Sequence, residues 1–261
     1  MRIYLVIDET PFFHPEFSKN LIETLSSEDQ IVGAALVEKI PKKSSINRYL
    51  ASQFWRLNLV ELLALGLKKS RATLLNYAFS EGLNGNYFSV AAVLRAYEIP
   101  FIRVQSNINT ATNIAQIATT NPDVIISSNS LLFGKKLLKT ARYCCINRHS
   151  ALLPSYGGIL PVFHAVANNE RETGVTIHKM TPSIDKGEIL AQRVVSINSS
   201  DTLWTLYKKC FQLSAPALIE ALDNLRAADS FQASDSRVES YYTFPSPDDW
   251  KRFRKNGGHW V

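Results

Sequence analysis

The sequence predicts an α/β protein: a mostly parallel sheet with helices on both faces, an antiparallel strand pair near the candidate site, and a helical C-terminal extension. Three observations carry this. The chain opens as strand, helix, strand, with RIYLVI (2–7), a helix over 16–25 and QIVGAALV (30–37), an order that argues for a parallel sheet. Short apolar runs rich in branched residues return at 100–104 and 123–127, and residues 143–146 form another; such runs suit strands buried on both faces. Further on, 173–180 alternates apolar and polar residues, PSIDKG turns the chain, and 188–196 runs as another strand.

Between these strands the punctuation is local. Pro11 and Pro15 oppose continuation after the first strand, so 8–15 is expected as a loop. From 44 to about 79, Ile46, Tyr49, Leu50, Phe54, Leu57, Val60, Ala64 and Leu67 step by three and four residues, which predicts an amphipathic helix. GLNGN (82–86) is a loop by composition. Helices follow over 90–97 and 107–118, Asn121-Pro122 signals a turn, and 128–134 leads into a helix ending near 140. A further short helix begins near Leu160. Asp201 caps a long helix to 225, with Leu203, Leu206, Tyr207, Cys210, Leu213, Ala217 and Ala221 on one face. Residues 226–237 read as a polar linker. The aromatic and basic end, YYTFPSPDDWKRFRKNGGHWV, must bury its rings on its own domain or on a second subunit, which leaves a homodimer open.

Size and composition bound the function. At 261 residues, 46% hydrophobic and 20% charged, the chain suits one large domain with a modest appendage, divided here as 1–200 and 201–261. No apolar run approaches the ~18 residues of a membrane span, and MRIYLVIDETPFF lacks the form of a signal peptide, so the expected location is the cytoplasm. The adjacent Cys144 and Cys145 and the distant Cys210 make neither a disulfide framework nor a zinc spacing. The net charge of +6 comes from one segment: between Lys39 and Arg71 stand eight basic residues and one acid, Glu61, so the rest of the chain sums to −1. The basic helix 44–79 therefore either packs on its own domain with its cations solvated or lies on an anionic membrane surface as a peripheral contact. It lacks the interleaved aromatics of a nucleic-acid site, and no nucleic-acid partner is expected. The first loop has no G-x-G-x-x-G, so a dinucleotide fingerprint is absent.

The chemistry-bearing residues cluster between 147 and 192. CINRHSALLPSYGG presents an amide, Asn147, and an imidazole, His149, where a strand gives way to a loop, and ETGVTIHKMTPSIDKGEILAQ places Asp185 on a turn between two strands. Strand ends are where open α/β sheets carry chemistry. An amide can donate to an oxyanion, an imidazole can exchange a proton near neutral pH, and a carboxylate can orient that imidazole or accept an amine proton. No nucleophile or metal is needed for such a set to act on an acyl carbon.

N-x-H-x-x-L-L-P followed by I-D-x-G-x-I-x-A-Q resembles the signature of the folate-dependent formyltransferases, the family of glycinamide ribonucleotide, methionyl-tRNA and sugar N-formyltransferases. The resemblance is dense from about 122 to 196. It implies a Rossmann-like catalytic domain, 10-formyltetrahydrofolate as formyl donor, and Asn147, His149 and Asp185 as the catalytic trio. It also implies that the donor's pterin lies against main chain at Ser128, Asn129, Ser130, Leu131 and Leu132, and at Thr181, Pro182, Ser183 and Ile184. His178 matches a second family histidine, with an orienting or a catalytic part. Tyr156 and Gly158 shape the loop beside the site, and His164 either faces the acceptor or is a buried helix residue. Ser150 stands where several relatives have proline. DETPFFHP cannot imitate the glycine-rich first loop of the glycinamide ribonucleotide enzymes, and the 61 residues from Asp201 leave no room for the tRNA-gripping barrel of the methionyl-tRNA enzymes. The expected acceptor is therefore the primary amine of a small molecule, an amino sugar on a nucleotide or lipid carrier for a surface polysaccharide. A 10-formyltetrahydrofolate hydrolase and a non-catalytic scaffold on the same fold stay open.

Overall fold

The computed structural model describes residues 1–38, 56–227 and 237–261. The chain divides into two compact units; of the described residues, the first holds 1–38 and 66–147 and the second 56–65, 148–227 and 237–261.

The first unit is a parallel sheet. Its strands are β1 (Arg2–Asp8), β2 (Gln30–Val37), β3 (Phe101–Val104), β4 (Val124–Ser128) and β5 (Cys144–His149), whose last two residues belong to the second unit. They run in the order β3, β2, β1, β4, β5, each pair parallel. Ile3 to Ile7 of the central β1 are all buried, as expected of branched residues in a strand covered on both faces. Helix α1 (His14–Thr24) starts ahead of the predicted 16, because Pro15 sits in its first turn, where a missing N–H costs nothing. The predicted helix over 44–79 is seen as α2 (Leu59–Ala78), and residues 44–55 of that prediction lie outside the described residues. Glu61 is its buried residue, whereas Val60, Leu63, Leu67, Leu74 and Tyr77 are exposed. Helix α3 (Val90–Ala96) is capped twice at its N-terminus: Ser89 Oγ accepts from the Ala92 amide, and the Glu9 carboxylate accepts from Val90 and Ala91. Helix α4 (Ala111–Thr119) begins four residues later than predicted, since Asn107 instead folds back to accept from the Asn109 amide. Only one turn of helix, α5 (Lys135–Leu138), precedes β5.

In the second unit β7 (Glu172–Lys179) and β8 (Ile189–Ser196) pair antiparallel, with a register irregularity between Ile177 and His178. The long α7 (Leu203–Ala227) packs on both. Between the two strands, Gly174 lies too close to the Arg193 carbonyl for any Cβ. The core joins Val162, Phe163 and Ala167 of α6 (Pro161–Ala167) to Val195, Leu203, Leu206, Cys210, and Trp250 and Phe253 of α8 (Pro247–Lys255). Phe163 stacks on Phe253 at 4.4 Å and meets Trp250 edge-on at 4.9 Å. Of the tail's rings, Trp250 and Phe253 are thus buried within their own chain, while Tyr241 is exposed. A pairing absent from the sequence reading joins β6 (Gly157–Gly158) to β9 (Tyr241–Tyr242) in parallel. Among the described residues no helix is long and apolar enough to cross a membrane.

Candidate active site

Asp185 occupies the turn between β7 and β8. Its φ of +55° lies in the left-handed region, which aspartate tolerates better than most residues. The turn is closed by the Lys179 amide, which donates to the Glu188 carbonyl at 2.8 Å. Gly187 is obligatory there, because a Cβ would stand 1.7 Å from the Lys179 carbonyl oxygen. The carboxylate that results is mostly buried and has three neighbours. Oδ2 accepts from the Gly158 amide at 2.8 Å and lies 3.8 Å from His149 Nδ1; Oδ1 lies 3.5 Å from His178 Nε2.

Both imidazoles are oriented by backbone carbonyls, and that fixes one nitrogen of each. His149 Nε2 bonds the Tyr156 carbonyl at 2.9 Å; a carbonyl only accepts, so Nε2 carries the proton and Nδ1 is the nitrogen turned to Asp185. His178 Nδ1 likewise donates to the Lys179 carbonyl at 3.0 Å, leaving Nε2 for the carboxylate. Burial pushes the Asp185 carboxyl up, but His178, His149 and the Gly158 amide together outweigh it and hold it down at about 2. Burial also lowers His149 and prevails over Asp185 and the Tyr156 carbonyl, which favour its charge. The pair at neutral pH is therefore an ionised carboxylate beside a neutral imidazole.

Strand β5 extends through His149, three residues beyond the predicted end at 146, so Asn147 and His149 are strand residues and not part of the loop after it. Asn147 closes the first unit, paired in register with Ser127. It stands two positions before His149, and alternate residues of a strand project to one face. Arg148, between them, projects to the other face, where its guanidinium donates to Ser214 Oγ at 2.9 Å and to Ser150 Oγ, and lies over the Phe211 ring at 3.8 Å. Burial lowers Arg148 to about 10. Ser150 supplies a hydroxyl to this buried cation.

The loop after β5 is fastened by two residues the sequence reading passed over. Thr176 Oγ1 donates to the Ala151 carbonyl at 2.6 Å and accepts from the Leu153 amide at 3.1 Å, and Gln192 Nε2 donates to both Thr176 Oγ1 and the Leu153 carbonyl. Gln192 closes the quoted I-x-A-Q and Thr176 lies within ETGVTIHK, two residues before His178, so both were visible as letters but not as roles. Tyr156 also bonds Glu170 through its hydroxyl at 2.7 Å. Gly158, at φ +95°, has the Tyr242 carbonyl 2.0 Å from where a Cβ would stand. His164 is buried, its Nε2 donating to the Thr243 carbonyl at 3.1 Å and its ring stacked on Tyr242 at 4.4 Å.

The predicted donor-binding segments belong one to each unit. In the first, Ser128 ends β4; Asn129 donates to the Val6 carbonyl and accepts from Leu131, Ser130 meets Asp8 Oδ1 through its amide and hydroxyl, and Leu132 is exposed. Asp8 was read only as the start of a loop. Burial raises it to about 6 against the two Ser130 bonds. In the second, Thr181 Oγ1 donates to the Ser183 carbonyl at 2.8 Å, Pro182 and Ser183 are exposed, and Ile184 presents an exposed apolar side chain.

Comparisons with known proteins agree with this architecture. The sequence profile described as formyl transferase matches residues 87–222, 136 of the 261 and so just over half of the chain. A methionyl-tRNA formyltransferase of Thermotoga maritima is 38% identical over 141 residues, 54% of this chain and 45% of that protein. The chain thus spans about half the length of the curated relatives it matches. A sugar N-formyltransferase from a Shewanella species superposes with a TM-score of 0.60 at 18% identity, covering 99% of this chain and 89% of that one. An N-formyltransferase from Helicobacter canadensis, solved with folinic acid and dTDP-3-aminofucose, does so at 0.57 and 14% identity, covering 98% and 81%. At such identities the two structures establish the fold, a Rossmann-like α/β architecture.

Proposed function

Because the chain belongs to the formyl transferase family, we propose that it moves a formyl group from 10-formyltetrahydrofolate to a primary amine of a small acceptor, an amino sugar on a nucleotide or lipid carrier. The observation that supports this most is Asp185, buried, ionised and shared by two oriented imidazoles one of which is neutral. In the reaction the amine nitrogen attacks the formyl carbon, the C–N10 bond breaks, one amine proton is lost and N10 gains one. Asn147 donates its amide to the oxyanion, worth about 10²- to 10³-fold by comparison with other acyl-transfer sites. His149 Nδ1 and Asp185 Oδ2, 3.8 Å apart, are too distant to bond each other well and both can reach a proton on a third group. His178 Nε2 faces the opposite carboxylate oxygen at 3.5 Å and, with Nδ1–H given to the Lys179 carbonyl, donates to that oxygen only when the ring carries both protons.

The donor's pterin is taken to lie against main chain at 128–132 and at 181–184, and each segment, by itself, exposes an apolar side chain, Leu132 and Ile184. The acceptor class follows the sugar-nucleotide complex that shares this fold. A second reading, an aminoacyl-tRNA acceptor, is favoured by the 38% identity to the methionyl-tRNA enzyme. We take 201–261 as an extension serving a 1–200 catalytic module. The exposed Leu63, Leu67 and Leu74 beside Lys68, Lys69 and Arg71 support a peripheral contact of α2 with an anionic lipid surface over packing with its cations solvated.

The pure protein is to be incubated with 10-formyltetrahydrofolate alone, with a panel of amino-sugar nucleotides, and with methionyl-tRNA. Tetrahydrofolate released only with an amino sugar is the expected result. Release without acceptor identifies a hydrolase, release only with tRNA the second reading, and no release or donor binding a scaffold.

A further inference from the structure

We propose, resting on the reading above, that the tail segment 238–243 is a strap that positions the Asp185–His149 pair, with Ser240 and Tyr242 as its positioning residues. Both members of the pair touch the loop 156–158: His149 through the Tyr156 carbonyl and Asp185 through the Gly158 amide. That loop is conformationally expensive, since Tyr156 and Leu160 have φ of +62° and +52°, each costing about 1–2 kcal/mol for an L-residue. It needs to be held from outside.

The amides from 156 to 159 show what holds it. Tyr156 donates to Ser240 Oγ at 2.9 Å, Gly157 to the Ser240 carbonyl at 2.9 Å, and Ile159 to the Tyr242 carbonyl at 2.9 Å; Gly158 alone of these points away, to Asp185. Alternate amides of an extended segment point to opposite sides. Seating Gly157 and Ile159 on the tail is therefore what aims the amide between them at the carboxylate. Two further bonds lock the same register: in the reverse sense the Ser240 amide donates to the Pro154 carbonyl at 3.2 Å, and Ser155 Oγ donates to the Val238 carbonyl at 2.6 Å.

Side chains clamp the strap in turn. The Tyr242 ring is sandwiched, 5.3 Å from Tyr156 with planes 9° apart and 4.4 Å from His164 with planes 22° apart. Its hydroxyl accepts from Asn168 at 2.9 Å, and the Thr243 carbonyl accepts from His164 at 3.1 Å. A slip of one residue in the tail would break the stack and turn the Gly158 amide off Asp185.

The test is NMR of the His149 ring nitrogens in the full-length protein, as wild type, Tyr242→Ala, Tyr242→Phe and Ser240→Ala, beside thermal unfolding and steady-state kinetics. Wild type is expected to show the Nε2–H tautomer. In Tyr242→Ala and Ser240→Ala the tautomers should mix and the ring titration move by about half a pH unit or more, while Tyr242→Phe, which keeps the sandwich, stays near wild type. In kinetics, kcat should fall about 10- to 100-fold with KM little changed. Ring signals identical to wild type in Ser240→Ala and in whichever Tyr242 variants fold, with only the melting point lowered, would overturn the strap. If Tyr242→Ala does not fold, Ser240→Ala decides alone. Since the ring spectra do not depend on turnover, a protein that transfers no formyl group yet responds in this way keeps the strap and loses the reaction.

Discussion

At the scale of single residues the decisive feature is which of two buried groups keeps its charge. Desolvation opposes charge on both Asp185 and His149, but the carboxylate gathers two imidazoles and an amide, whereas the imidazole gathers a single carbonyl and a carboxylate 3.8 Å away. Asp185→Asn retains the shape and an oxygen for the Gly158 amide. We expect that variant to fold normally and to lose at least ~10²-fold in rate; turnover close to wild type would remove the assigned role. His149 titrates below its ordinary 6.5, so the neutral ring persists into mildly acid solution and the rate should fall only as pH drops below 6.5. A pH–rate profile that already declines between 8 and 7 would contradict a neutral His149 as the working form. The letters N-x-H and I-D-x-G were enough to single out these residues, because a strand end and a turn tip expose chemistry in predictable places. They could not reveal that Nε2 is committed to Tyr156, since tautomer choice depends on a carbonyl that only the folded loop delivers.

At the scale of elements, side chains from distant segments decide where helices and loops end. Glu61 stands out in sequence only as the lone acid of a basic stretch. In the fold its buried carboxylate accepts from Arg254 at 2.7 and 2.5 Å, from the Trp260 amide at 2.8 Å and from the Asn58 amide at 3.0 Å, tying the start of α2 to the C-terminus. Burial raises this carboxyl, but these partners outweigh it and lower it. Glu61→Gln should lower unfolding stability by about 2 kcal/mol or more, since the bonds removed are charge-assisted. Urea unfolding that matches wild type would show the cluster to be idle. Helix α8 starts with a full capping box, Ser246 accepting from the Asp249 amide and Asp249 from the Ser246 amide. Ser246→Ala is expected to cost about 1 kcal/mol in the same measurement. Capping residues such as Ser246 are readable in sequence because they act within four positions. The rest of the Glu61 cluster is not, because Arg254 and Trp260, unlike Asn58, lie almost two hundred residues away.

At the scale of the whole molecule, acid should act in two stages. His149 and His164 titrate lower in the folded protein than in an unfolded chain, as does Asp185. The unfolded chain therefore binds protons first in each case. Stability present at neutral pH declines as pH falls below 6.5 on account of the histidines, and again from about 4 towards 2 on account of Asp185, which contributes about 2 kcal/mol, whereas Asp8, raised to about 6, binds its proton first in the folded protein and acts in the opposite sense between about 6 and 4. A melting temperature that stays level from pH 4 to pH 2 would refute the Asp185 stage. Cys145 and Cys210 are buried, with thiols pushed up to about 12 and about 11, while Cys144 is half-buried. A thiol reagent should label Cys144 in the native protein and reach the other two only on unfolding.

The sequence alone determined the parallel strands, the antiparallel pair, the long helix from 203 and the residues Asn147, His149, His178 and Asp185 as candidates for chemistry. Each of these depends on periodicity, on a turn or on a contiguous motif, interactions confined to a few neighbouring positions. Tertiary structure alone decided that β5 continues through His149, that Tyr242 lies between Tyr156 and His164, and that the Gly158 amide rather than solvent meets Asp185. Those outcomes rest on pairings such as Gly157 with Tyr241, where two glycines and two tyrosines carry no periodic signal of their own and the bond is made by main chain that every residue shares.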